Sequence, residues 1–166
     1  MADVGRHRLF LAFLFAAIVI DQGTKLWVTK ALWPQQSATL IPGVLYLTLT
    51  YNAGIAFGYL QHVRWLTVPL SIAVIAAALI GYFRAETKTR FVSIFLGLLI
   101  GGAASNLFDR IVHGRVTDFF DLKWWPVFNI ADCAIVVSVL VLGLRWTFAP
   151  TPNKAVEPLE EVPEQP

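Results

Sequence analysis

Four long apolar stretches, separated by shorter polar segments, organise the chain. With a rise of 1.5 Å per residue, about 20 residues of helix cross the roughly 30 Å hydrocarbon core of a bilayer. The stretches lie at about 9–28, 66–83, 91–108 and 128–146, and each reads as a membrane-spanning helix. The second and third carry no charge. Asp21 and Lys25 fall near the far end of the first, and Asp132 sits about one turn inside the fourth.

Between these stretches the period changes. Leu45, Leu47 and Leu49 alternate with Tyr46, Thr48 and Thr50, the spacing of a strand, and the run ends at the turn signal Asn52-Ala53-Gly54. A second polar stretch contains Gly114 and another extended piece at about 116–122. The two regions, about 38–62 and 109–127, predict a small sheet lying over the helix ends. The expected fold is therefore an all-α membrane protein of four transmembrane helices with a small extracytoplasmic β-sheet and loop region. A single domain is expected over about 1–149, followed at 150–166 by a disordered, Pro- and Glu-rich cytoplasmic tail.

Composition points to lipid as the solvent. Of 166 residues, 57% are hydrophobic and 14% charged, and the mean hydropathy is +0.63, too little charge to clothe a soluble domain. The net charge of +2 is scattered, which excludes a nucleic-acid footprint. Cys133 is the single cysteine, and His7, His62 and His113 lie far apart, so neither a disulfide nor a metal site is expected, and no cofactor. Arg6, His7 and Arg8 before an apolar run resemble a signal peptide, but Asp21-Gln22-Gly23-Thr24-Lys25 stands where a small-residue cleavage site belongs, so a retained first helix is expected.

Arg6, Arg8, Arg84, Lys88, Arg90 and Arg145 flank one side of the predicted spans, against Lys30, Arg64, Arg110, Arg115 and Lys123 on the other. The positive-inside rule then makes both termini cytoplasmic. Trp27, Trp33, Trp65, Trp124 and Trp125 fall near the outer boundaries, as an aromatic belt would. No repeat or coiled coil is visible, and a monomer is expected.

Five acids, Asp21, Asp109, Asp118, Asp121 and Asp132, map to the outer side. A carboxylate at membrane depth costs about 2.5–3.5 kcal/mol on insertion scales, so it pairs, lines water or does chemistry. Asp132 reads either as an acid favourable to the helix dipole or as a functional group facing the bundle interior. Asp118 lies among aromatic residues and reads either as a loop acid paired with Arg110 or Arg115, or as the partner of Asp132. Two adjoining carboxylates share one proton and so supply an acid and a base from identical groups, enough to activate water against an amide. Two other classes stand beside a hydrolase: a proton-relaying transporter or channel, and a structural subunit whose polar groups fasten helices. The acids cluster at one face, and no second set continues a path toward the other, which weighs against a relay.

Among the neighbours, Asn52, Asn106 and Asn129 offer amides that can hold a peptide backbone or orient the acids. Lys25 can offset Asp21 one turn earlier. Arg110 reads as an ion-pair partner of Asp109 or a lipid-phosphate contact, and Gly101-Gly102 as a close helix contact. Cys133 reads as a packing residue.

Five ordered blocks carry a resemblance: Asp21-Gln22-Gly23-Thr24-Lys25; 52–57, which begins Asn52-Ala53-Gly54; 101–110, which ends in Asp109-Arg110; Val116-Thr117-Asp118-Phe119; and Phe128-Asn129-Ile130-Ala131-Asp132. Together they resemble lipoprotein signal peptidase, the bacterial signal peptidase II. The resemblance implies an aspartyl endopeptidase of the inner membrane, with its site toward the outer, periplasmic face, that cleaves prolipoproteins before a diacylglyceryl-modified cysteine. Its partners would be these lipid-modified precursors and membrane lipids. It carries the catalytic pair onto Asp118 and Asp132, and substrate-pocket positions onto Asp21, Lys25, Asn52, Gly54, Asn106, Arg110, Asn129 and Ala131. Ser105 stands where the family usually has Gly, and Thr117 replaces a usual apolar residue. Neither departure touches a carboxylate.

Overall fold

The computed structural model describes residues 2–54, 64–84 and 89–148. Seven elements follow in order: α1 (Ala2–Ala31), β1 (Ser37–Ile41), β2 (Leu45–Asn52), α2 (Arg64–Arg84), α3 (Arg90–Val112), β3 (Val116–Asp121) and α4 (Ile130–Thr147). All four helices are long and apolar enough to cross a membrane. The expected fold class holds. Residues 55–57 of the second block, His62, the Trp65 side chain, Lys88 and the tail 150–166 lie outside the described residues.

The helix ends differ from the sequence reading, and each difference has a local cause. α1 extends to Ala2 and to Ala31. α3 continues one turn beyond its apolar run, so Asp109 and Arg110 are helical rather than part of a loop. Buried partners on α1 remove the cost of the charged Asp109 there. The helix then stops at His113, whose N–H bonds to Asp109 O at 2.8 Å, before Gly114 at φ +72°. α4 starts two residues later than its apolar run, because Phe128 is drawn into the sheet: Phe128 O accepts from Phe119 N and Phe120 N at 3.0 and 2.8 Å. Asn129 then caps α4.

α3 is the central helix and packs against the other three. Its small residues set how close the neighbours come. A Cβ on Gly101 would strike the Leu14 carbonyl, and one on Gly102 would lie 2.7 Å from Ala131 O. Gly101 and Gly102 therefore admit α1 and α4 to near backbone contact, the role small residues play between membrane helices. Elsewhere apolar side chains face outward, as on α4, where Val136, Val137, Val139, Leu140 and Leu144 are all exposed toward what would be lipid.

The three strands form one antiparallel sheet in the order β1-β2-β3. β2 pairs with β3 from Tyr46 opposite Asp121 to Asn52 opposite Val116, with an irregularity between Leu47 and Thr50 that leaves Thr50 opposite Asp118. The sheet seats itself on the end of α1 through Leu47, Leu49 and Phe119, which bury with Val28. A second apolar cluster, Phe10, Tyr82 and Ile100, closes the opposite end of the bundle. The predicted belt tryptophans Trp27, Trp33, Trp124 and Trp125 are exposed at the sheet end.

Candidate active site

Three helices and two strands bring the site together, and hydrogen bonds fix every member. At the start of α4, the Asn129 side chain accepts from Asp132 N at 2.9 Å and the Asp132 carboxylate accepts from Asn129 N at 3.1 Å. This reciprocal cap satisfies two free backbone N–H groups and locks Asp132 to the helix start. The two sequence readings of Asp132 thus coexist: it caps its helix, and it also faces a cleft.

The same Asn129 reaches the second carboxylate. Its side-chain amide donates to Asp118 Oδ1 at 2.6 Å, and Asn52 donates to Asp118 Oδ2 at 3.1 Å. Asn106 donates to Asp132 Oδ1 at 2.9 Å. Asn129 also donates to Asn106 Oδ1 at 3.1 Å. In the described contacts the two carboxylates are joined through Asn129, not by a direct bond to each other. Arg110 and Arg115 do not pair with Asp118: Arg110 donates to Asn106 O at 3.4 Å, and Arg115 lies over the Tyr51 ring.

Behind this pair lies a second group of acids around one cation. Lys25 Nζ sits 2.6 Å from Asp21 and 2.9 Å from Asp109, and donates to Asn106 Oδ1 at 2.8 Å. Asp21 is fully buried and Lys25 is 4% exposed. Asp21 also accepts from Ser105 Oγ at 2.7 Å and from Ala131 N at 2.8 Å. Asp109 takes its cation from Lys25, not from adjacent Arg110. Asn106 is the hinge between the groups, accepting from Lys25 and donating to Asp132.

Asp118 and Asp132 face a cleft of about 220 Å³ with Asn52, Asn106 and Arg110. Val116, Trp125, Phe128 and Val136 supply its apolar wall. Burial, and then the neighbouring Asp132 charge, push the Asp118 carboxyl up from 3.8 to about 7, against the hydrogen bonds of Asn52 and Asn129 and the charge of Lys25. Asp121 is elsewhere, at the far end of β3. Burial alone would raise its carboxyl, but Lys123 and Thr48 outweigh that and hold it below the usual range. Among the described residues, no three His, Cys, Asp or Glu side chains converge as metal ligands would.

Of the ten residues singled out from sequence, Asn52, Asn106, Arg110, Asp118 and Asp132 line the cleft. Asn129, Asp21, Lys25 and Ala131 lie buried behind them. Gly54 is buried at the end of β2, its N–H held by Asn52 Oδ1 at 2.9 Å. Sequence reasoning missed Gln22, which donates to Ser105 Oγ and Asp109 at 2.9 Å each, and missed the hydrogen bonding of Ser105. Both are polar residues inside apolar helices, which was the available signal.

The description "Signal peptidase (SPase) II" matches residues 13–148, most of the chain. This chain belongs to the signal peptidase II family. It is 40% identical over 136 residues to the lipoprotein signal peptidase of Pelotomaculum thermopropionicum, covering 81% of this chain and 90% of that one. Against the lipoprotein signal peptidase of Geobacillus thermodenitrificans it is 38% identical over 160 residues, covering 93% of this chain and all of the other. A solved bacterial membrane enzyme, determined by the in meso method at 2.3 Å resolution, superposes with a TM-score of 0.79 at 25% identity, covering 89% of this chain and 94% of that one. The family member described here is therefore a multi-pass membrane peptidase, and the candidate site lies at the sheet end of the bundle.

Proposed function

We propose that this peptidase is an aspartyl endopeptidase that removes signal peptides from prolipoproteins, cutting before a diacylglyceryl-modified cysteine. What carries this reading is one observation: Asp118 and Asp132 face a single cleft, and neutral amides hold both. Arg110 shares the cleft without coming within salt-bridge distance of either carboxylate. A pair so placed retains one proton between two acids, as general acid–base hydrolysis requires.

Asp118, pushed up to about 7, is the group we assign to hold that proton. Asp132, at the positive end of α4, is the partner we assign as base. Asp132 takes a proton from water as the water oxygen attacks the scissile carbonyl carbon, while Asp118 gives its proton to the carbonyl oxygen. The tetrahedral diol then collapses: a hydroxyl proton returns to Asp118, the C–N bond breaks, and Asp132 protonates the leaving amine. Arg110 offsets the charge that passes through the cleft. The apolar wall suits a signal helix entering sideways from the bilayer, with its lipid tails left in the membrane.

By the balance of flanking basic residues, the site faces the outer side of the inner membrane and both termini are cytoplasmic. The deciding experiment incubates purified protein with a diacylglyceryl-modified precursor and with its unmodified form. Cleavage of the modified precursor alone is expected. Equal cleavage of both would remove the lipid requirement, and cleavage by Asp118→Asn or Asp132→Asn at the parental rate would remove the aspartyl mechanism.

A further inference from the structure

β3 separates two cavities. Alternate residues of a strand point to opposite faces: Val116 and Asp118 line the cleft described above, while Thr117, with Arg115 just before the strand, lines a second cavity, of about 240 Å³. That cavity lies against α1 and the end of α3, and Gln22, Leu26, Thr29 and His113 complete most of its wall.

Among the described residues, one basic side chain on its wall has no ion-pair partner. Lys25 and Asp109 both reach the cavity, but Lys25 is shared between Asp109 at 2.9 Å and the buried Asp21 at 2.6 Å. The Asp109 oxygens are already taken, Oδ1 by Gln22 and Oδ2 by Lys25, with Thr117 N at 3.4 Å. Arg115 is left with its Cζ 3.7 Å from the centre of the Tyr51 ring. Among the described residues no carboxylate comes within ion-pair distance of it. The ring fixes the plane of the guanidinium and leaves its N–H donors for an anion. The exposed His113 ring lies beside it, 3.8 Å from Asp109.

The depth of the cavity names the anion. Thr29 stands two residues before the end of one apolar span and His113 one residue after the end of another. Leu26 on its wall, and Trp27, Ile111 and Val112 on the same ends of α1 and α3, are all more than half exposed. A polar recess that carries Arg115, next to exposed apolar residues at these helix ends, sits where acyl chains give way to headgroups. Its volume is below that of a pocket for a drug-sized ligand and suits a headgroup fragment.

We infer that this second cavity binds the phosphodiester of an anionic phospholipid, with Arg115 as the principal contact and the acyl chains lying along α1 and α3. Occupancy would tie α1, α3 and β3 together from the face of β3 opposite Asp118. The shared chemistry is an oxyanion of phosphorus, and the alternative source is free phosphate.

The test is native mass spectrometry of the full chain in detergent, titrated with phosphatidylglycerol, phosphatidylcholine or inorganic phosphate. One phosphatidylglycerol should be retained in preference to phosphatidylcholine, whose trimethylammonium brings a second positive charge to the recess. Arg115→Gln should weaken that retention about tenfold, the worth of one charge-assisted contact, and Arg115→Lys, which keeps the charge but loses the fork, by less. Should Arg115→Gln fail to fold, Arg115→Lys decides alone. Parental retention by the folded variants, or equal retention of the two lipids, would overturn the inference. Displacement of the lipid by millimolar inorganic phosphate would overturn the lipid as the source.

Discussion

Asp21 and Asp109 share Lys25 at 2.6 and 2.9 Å, whereas Asp118 and Asp132 receive only amide and backbone N–H donors. The four acids belong to one network, linked through Asn106, and all lie at the sheet end of the same helices. What separates them is the compensating charge. A full cation bridges the first pair and makes it a strut between α1 and α3. Amides orient the second pair without deciding where its proton sits. Burial therefore has opposite consequences for identical side chains: it strengthens the first pair's ionic contact, whereas at Asp118 it disfavours the charged form.

The largest way to break this contrast is to remove one member of the second pair. Asp118→Asn or Asp132→Asn should lower precursor cleavage about a thousandfold, the scale of lost acid–base catalysis, while circular dichroism stays unchanged. A comparable loss of helix in these variants would mean that the pair is structural. Lys25→Met attacks the strut instead. It strands two buried carboxylates and should cost about 3–5 kcal/mol of stability, read as a lower melting temperature in detergent. Adding Asp109→Asn should recover part of that loss. No recovery would show that Lys25 acts chiefly elsewhere.

Titration sharpens the contrast. The folded Asp118 carboxyl sits near 7 rather than 3.8, so between those values the folded state keeps a proton that the unfolded chain releases. Stability from this group is therefore greatest below about 3.8, falls as pH rises through the window, and is flat above about 7. Subtracting the melting-temperature profile of Asp118→Asn from the parental one should reveal that slope. A flat difference would contradict the perturbed carboxyl. The smallest effect belongs to Ser105→Ala, which deletes one of the bonds to Asp21 and should cost about 1 kcal/mol. A stability loss as large as that of Lys25→Met would mean that the hydroxyl, rather than the ammonium, holds Asp21 in place.

Much of this arrangement was legible from sequence because membrane proteins expose their costs. A charge in an apolar helix has few cheap explanations, so Asp21, Lys25 and Asp132 stand out at once. The alternation at Leu45, Leu47 and Leu49 marks β2 for the same kind of reason: period two has one physical meaning. Partnership was less legible. Asp109 neighbours Arg110 in sequence, yet its cation comes from α1, because a helix places adjacent residues on different faces. The first strand was hidden as well: β1 is five residues long and mostly exposed, and its pattern carries little signal. Asn129 was visible as an amide donor, but its position between both carboxylates depends on Phe128 leaving the helix to join the sheet.

The close approach at Gly101 and Gly102 has a consequence for genetics. A single methyl at either position pushes against a neighbouring backbone, and at Gly102 that backbone belongs to Ala131, the residue before Asp132. A screen for inactive alleles would therefore recover these glycines beside the aspartates, although they face neighbouring helix backbones and do not line the cleft. Second-site suppressors would separate the two classes. A shifted helix can be accommodated by trimming a side chain across the contact, whereas no change elsewhere returns a missing carboxylate.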